Sequence, residues 1–216
     1  MKLSDTTLAV LKNFASINTG VVLQTGKRQK TISPDKSILV EAVIQDDITE
    51  VFGIYDLPQF LGNISALNNP DMTFTDKMVE MSDGQVKLSY FSCSPNLITV
   101  PPDKKLEMKN VDVGFTLTNA ALQKLLMLSK MNSLPMLSVI GKSGKLSLRV
   151  HEDSDTSNAA TIDIGNWDHE DFDAKFKTEH LKMIPDDYEV KIALKAFATF
   201  ENKDGSLKYY IALQSK

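Results

Sequence analysis

The sequence predicts an α+β chain made of two tandem, similar domains. Three observations predict it. The stretch "SDGQVKLSYF" (82–91) returns without a gap as "KDGSLKYYIA" (203–212), with Asp83 and Asp204 121 residues apart, and Val86 matching Leu207. The stretch "VFGIYDLPQFLGNI" from residue 51 returns from residue 172 as "FDAKFKTEHLKMIP", with Tyr55 matching Phe176 and Phe60 matching Leu181 at the same offset. Each half also opens on an amphipathic helical pattern.

In chain order, residues 4–17 place Leu8, Leu11, Phe14 and Ala15 on one helical face, and Asp5, Lys12, Asn13 and Ser16 on the other. An apolar strand and a Gly-Lys hairpin turn follow in "VVLQTGKRQ". Asp56 is the expected N-cap of a short helix, and Gln59 three residues on completes a capping-box pattern. Pro58 falls in the first turn, where its missing N–H costs nothing. Asp83-Gly84 predicts a type I′ hairpin turn, in which both central residues take positive φ. The bridge "CSPNLITVPPDKKLEMKN" (93–110) carries paired prolines and a charge cluster, as an extended surface segment does.

Residues 118–131 repeat the opening helix, with Ala121, Leu122, Leu125 and Leu128 as the apolar stripe and Asn119, Gln123 and Lys130 opposite. "MLSVIGKSGKLSLRV" then repeats the strand and turn. The segment from residue 172 leads from a strand into a second short helix, and the 203–212 hairpin closes the chain. The expected division is a first domain over 1–100, a linker over 101–110 and a second domain over 111–216.

Composition excludes several classes. The 216 residues are 42% hydrophobic, and no run approaches the ~20 apolar residues of a transmembrane helix. The N-terminus has no apolar stretch behind a basic start, so no signal peptide or membrane partner is expected. Cys93 is the only cysteine, which rules out an internal disulfide and a cysteine-rich zinc site and suits a reducing cytoplasm. The formal charge is −4, spread as −3 over residues 1–108 and −1 over 109–216, which argues against tight binding of DNA in an open groove. The acidic runs "HEDSD" (151–155) and "DHEDFD" (168–173) read as solvated loops.

No catalytic pattern emerges. "GKSGK" (141–145) lacks the P-loop spacing and is followed by strand-like alternation, so it reads as a hairpin turn. His151, His169 and His180 have no metal-ligand spacing, and Cys93 has no activating neighbour in sequence. No cofactor or metal is expected.

The runs "MKLSDTTLAVLKNFASINTG", "IYDLPQFLG", "LKMIPDDYEV" and "TNAALQKLLMLSK" resemble the sliding clamps of T4-type bacteriophages, the polymerase processivity factors. The likeness is strongest over residues 1–20 and 51–64, and the segment order runs to the end of the chain. The resemblance implies a DNA clamp fold, with helices lining a ring and sheets outside. It implies a homotrimer that encircles double-stranded DNA without reading its sequence. It also implies a replicative DNA polymerase and an ATP-dependent clamp loader as partners, in the cytoplasm of an infected bacterial host. A closed ring holds DNA topologically, so weak phosphate contacts suffice and a net acidic chain is no obstacle.

On that reading the DNA-facing candidates on helix faces are Lys12, Lys124, Lys130, Lys175, Lys177 and Lys182. Mobile point charges suit sliding better than bidentate arginine. The helix "LPQFLGNISAL" has no Lys or Arg, so it either contributes through Gln59, Asn63 and Ser65 or lies away from the charged belt. Subunit contacts are expected at exposed sheet edges, through Lys87, Leu88, Tyr90 and Phe91 in the first domain and Thr161 and Asp163 in the second. The family's partner-peptide site, beside the linker, is expected at Leu97, Ile98, Val100 and Pro101, with Ile32, Pro34, Ala212 and Leu213 as neighbouring walls. The rival reading is a monomeric α+β protein-interaction scaffold or nucleic-acid-binding module. The aromatics Phe14, Phe52, Phe60 and Phe115 sit in apolar patterns and read as core rather than as a base-stacking platform.

Overall fold

The computed structural model describes residues 1–104, 106–152 and 158–214. The chain divides into two compact units, Met1–Leu106 with Ser206–Lys208, and Glu107–Gly205 with Tyr209–Lys216.

The first unit opens on helix α1 (Asp5–Ile17), followed by β1 (Val21–Leu23), β2 (Gly26–Ile32), β3 (Ile38–Ile48) and β4 (Phe52–Ile54). Helix α2 (Leu57–Ala66) and the strands β5 (Asp71–Phe74), β6 (Met78–Ser82) and β7 (Lys87–Phe91) complete it. The second unit runs β8 (Val113–Leu117), α3 (Asn119–Met131), β9 (Met136–Lys142), β10 (Gly144–His151), β11 (Ala159–Trp167) and β12 (Phe172–Lys177). It ends with β13 (Tyr188–Ile192), β14 (Phe197–Asn202) and β15 (Leu207–Ala212).

The two units use one plan. In the first, β1 pairs with β4, β2 with β3, and β5, β6 and β7 form a meander. In the second, β9 pairs with β12, β10 with β11, and β13, β14 and β15 lie in sequence order. Strand β8 flanks β13. Its counterpart in the first unit is the N-terminus, where Met1 and Met72 exchange two backbone hydrogen bonds of 2.7 Å. The duplication read from two sequence stretches therefore extends to almost every element.

The helices form where caps and period agree. Ser4 caps α1 by accepting from the Thr7 amide, and Thr118 caps α3 by accepting from the Ala121 amide. Asp56 accepts from the Gln59 amide at 2.8 Å at the start of α2. Such a cap contributes about 1 kcal/mol. Helix α1 buries Thr7, Leu11, Phe14 and Ile17, and α3 buries Leu122, Leu125 and Ser129. Leu8, Ala15, Ala121 and Leu128 of the expected stripes are only half-buried, because each contact face is rotated slightly from the apolar one. Phe14, Phe52 and Phe60 are fully buried and Phe115 is half-buried. Full burial of one such side chain is worth roughly 1.5–3 kcal/mol.

Three expectations need correction. The helix expected after β12 is a single 3₁₀ turn, Thr178–His180. Lys177 at its N-cap supplies no side-chain hydrogen bond, and Pro185 drives the residue before it out of helical space. Leu181, the counterpart of Phe60, still reaches the core at 4% exposure, so the apolar anchor outlived the helix.

The Asp83-Gly84 turn is not type I′. Ser82 pairs with Lys87 across a four-residue loop in which only Gly84 takes positive φ (94°). Asp83 instead uses its carboxylate, accepting from the Gln85 and Val86 amides at 2.9 and 2.8 Å. These bonds hold its carboxyl below the usual range. The two-residue hairpin with both φ positive lies at Ser143 (52°) and Gly144 (79°), between paired Lys142 and Lys145. "TGKRQ" closes no hairpin: β1 pairs with β4 while β2 pairs with β3, and Gly26 stands at a corner between sheets.

Candidate nucleic-acid and partner interfaces

The expected DNA-facing lysines separate into two groups. Lys12 is exposed on α1, and Lys124 and Lys130 are exposed on α3. Lys175, Lys177 and Lys182 do not lie on a helix. Lys175 and Lys177 are half-buried on β12, on the face opposite the buried Ala174 and Phe176. Lys177 also lies 3.6 Å from the Glu179 carboxylate. Lys182 is exposed on the segment after the 3₁₀ turn. The cause is the lost helix described above. On α2 the exposed positions are Pro58, Gln59, Gly62, Ser65 and Ala66, with Asn63 half-buried, so that face is small and uncharged.

Both proposed contact strands lie at sheet edges, β7 beside β6 and β11 beside β10. Their side chains are not equally free. The Tyr90 ring packs edge-to-face on Phe60 at 5.2 Å, and its hydroxyl donates to the Asp56 carbonyl at 3.3 Å. Burial there pushes the Tyr90 phenol up from its usual range. Lys87 and Phe91 project outward, Phe91 at 69% exposure, and Leu88 is half-buried. On β11, Thr161 is exposed and Asp163 pairs with Lys145 of β10 at 2.8 Å. That contact holds the ammonium above its usual range.

The pocket residues scatter. Ile98 is 8% exposed, and a Cβ at Gly20 would meet its Cγ1 at 3.2 Å. It is a packing group clamped over a glycine, not an open wall. Ile32 is buried, and its carbonyl accepts from Asn18 Nδ2 at 2.9 Å. Pro34 is exposed in the turn after β2, and Leu97 is 66% exposed at the end of a 3₁₀ turn, Pro95–Leu97. Ala212 and Leu213 are half-buried in the second unit.

Val100 and Pro101 do line a groove, of about 370 Å³, that lies wholly within the first unit. One wall is Pro95 and residues 99–103, and the other is Gly20, Val21, Val22 and Gln24 with Arg28, Lys30 and Thr31 of β2; Val51 also lines it. The bridge segment is fixed against this floor. Asn18, 7% exposed, donates from one amide group to both the Ile32 and Thr99 carbonyls, and its Oδ1 accepts from the Gly20 amide. Sequence reading missed the β1–β2 wall because "TGKRQ" looked like a turn. Its signal was the basic pair Lys27-Arg28 beside a strand.

The remaining titratable groups have structural settings. His151 Nε2 lies 2.9 Å from the Ser138 hydroxyl, His169 stacks edge-on against Trp167 at 5.1 Å, and His180 is half-buried. Cys93 is half-buried and burial raises its thiol pKa, the opposite of nucleophile activation. Among the described residues no cluster of three or more His, Cys, Asp or Glu side chains is arranged to hold a metal ion. Among the described residues no helix is long and apolar enough to cross a membrane. Residues 153–155 of the first acidic run lie outside the described residues.

Comparison with known proteins gives one consistent answer. Residues 2–91 match the family of DNA polymerase processivity factors. The sliding clamp of Vibrio phage KVP40 is 31% identical over 222 residues, covering 100% of both chains. The sliding clamp of Enterobacteria phage T4 is 28% identical, covering 100% of this chain and 97% of its own. Among solved structures, PCNA from Thermococcus kodakaraensis superposes with a TM-score of 0.70 at 13% identity over 96% of each chain.

Proposed function

This chain belongs to the sliding clamp family, and we propose that it closes with two further copies into a ring around duplex DNA, holding the replicative polymerase on its template. It is a DNA polymerase processivity factor and not an enzyme. The duplicated plan supports the proposal: each unit presents a helix with exposed lysine and a sheet with an open edge.

Closure follows from pairing β7 of one copy with β11 of the next. That contact joins two different surfaces, so repeating it generates a ring when the rotation closes. It also covers two strand edges that would otherwise invite aggregation. Phe91 is the apolar group left for a neighbour to cover, with Lys87, Leu88 and Thr161 beside the seam. Asp163 serves from within its pair with Lys145.

Within the ring, Lys12, Lys124 and Lys130 meet the DNA backbone from helices, and Lys175, Lys177 and Lys182 do so from β12 and the loop beyond it. Each is a point charge that attracts any phosphate and reads no base. The groove beside residues 95–103 receives peptide segments of the polymerase and of the ATP-driven loader that opens the ring. The site of action is the cytoplasm of an infected bacterial cell.

Light scattering coupled to size exclusion tests the assembly. A mass of three chains at micromolar concentration is expected, and Phe91→Asp is expected to shift it toward one chain with the fold kept. A monomer at every accessible concentration favours the scaffold reading instead.

A further inference from the structure

We propose that the groove of the first unit selects partner peptides in which an acidic side chain sits beside apolar ones, with Arg28 as the anion contact. This rests on reading the groove as the partner-docking site.

Three observations meet there. The walls are largely apolar, from Val21, Val22, Val51, Val100 and the prolines at 95, 101 and 102. The bridge-side wall carries no cationic side chain, so recognition of a negative charge falls to β2. On β2, Lys30 is already held by Glu41 at 2.8 Å, whereas exposed Arg28 makes no ion pair among the described residues. The guanidinium is thus an uncommitted planar fork, suited to a planar carboxylate. Lastly, Asp103 is the only carboxylate lining the groove among the described residues, on the opposite wall.

Together these features choose the occupant. A space of about 370 Å³ takes a few side chains and not a folded domain or a duplex. Apolar walls beside Asp103 disfavour a polyanion. One carboxylate flanked by apolar side chains satisfies Arg28 and fills the rest.

Fluorescence anisotropy on the full chain tests this. The probes are amide-capped decapeptides in a Gly-Ser background, with apolar residues flanking a central Asp, Asn or Lys. The Asp peptide is expected to bind about ten-fold more tightly than the Asn peptide, with Lys weakest. Arg28→Gln is expected to remove the Asp-over-Asn preference by lowering the affinity of the Asp peptide to that of the Asn peptide. Equal binding of Asp and Asn peptides, or a preference that survives Arg28→Gln, overturns the acidic specificity. In that case the docking site itself still stands if Val100→Asp abolishes binding. If no peptide saturates, or Val100→Asp changes nothing, the docking site is wrong and the specificity falls with it. Displacement of the peptides by a ten-nucleotide single strand also overturns the assignment.

Discussion

Tyr188 and Tyr209 meet edge-to-face at 5.9 Å, and both bind the backbone of one residue, Ile184. The Tyr188 hydroxyl donates to the Ile184 carbonyl, and the Tyr209 hydroxyl accepts from the Ile184 amide at 3.0 Å. Asn202 donates to Asp186 at 3.3 Å, and Asp187 accepts from the first amide of α3 at 2.7 Å. Where the first unit has helix α2, the second has a short segment fastened by side chains. This latch presents Lys182 while Leu181 and Met183 stay buried.

Tyr209→Phe strands the Ile184 amide at a part-buried position. The expected cost is about 1–3 kcal/mol, read as a lowered midpoint in chemical denaturation. Burial raises both phenols, Tyr209 to about 12 and Tyr188 further. A phenol raised in the fold contributes stability that is complete below its unfolded pKa of about 10 and lost as pH rises through the folded value. Wild-type stability should therefore fall between about pH 10 and 12, and Tyr209→Phe should flatten that fall. An unchanged alkaline profile in the variant would show that the latch does not carry it.

Asp46 contributes on the acid side. Burial pushes its carboxyl up, but bonds from the Ser4 amide at 2.7 Å and from the Thr7 and Ser4 side chains, with the nearby charge of Lys27, hold it below the usual range. A depressed carboxyl contributes stability present above its unfolded pKa of about 3.9 and lost as pH falls through the folded value. Asp46→Asn should reduce stability at neutral pH and flatten its loss below about pH 4. Thermal melts across pH 2–7 give the comparison.

Ile98 and Val100, two residues apart, should behave oppositely. Ile98 is buried over Gly20, and Ile98→Ala should cost about 2–5 kcal/mol of stability. Val100 is 48% exposed on the groove, so Val100→Ala should leave the melting temperature within a degree or two and weaken polymerase-tail binding in calorimetry. The reverse pattern would move the partner site away from this groove.

The lysines divide by element. Glu replacement of Lys12, Lys124 and Lys130 together should shorten products in a processive-synthesis assay while the ring mass is unchanged. Lys104→Glu, on the bridge, should have a smaller effect; its neighbour Lys105 lies outside the described residues. Lys177→Glu should do less than Lys124→Glu, since Lys177 already has a carboxylate 3.6 Å away. Equal losses from the bridge and the helices would mean that these helix faces do not meet DNA.

The clamp fold entered through the resemblance to phage clamps; what the sequence by itself determined was the duplication and the three helices. Those depend on local rules: a 3.6-residue apolar period, a cap at Asp56, and a hairpin written twice at one offset. Such rules act over a few residues, so a linear reading recovers them. The tertiary structure decided where a local rule lost to its surroundings and where distant residues met. The helix after β12 failed for want of a cap and because of Pro185, and two tyrosines took over its work of holding the chain. Ile98 became core because Gly20, 78 residues earlier, leaves room for it. Asp163 was committed by Lys145 across a ladder, and Tyr90 by Phe60 across a packing face. The groove joins residues 20–31 and 51 to residues 95–103, with no shared period or motif. Side-chain burial and pairing depend on which distant segments the fold brings together, and no repeat or cap encodes that.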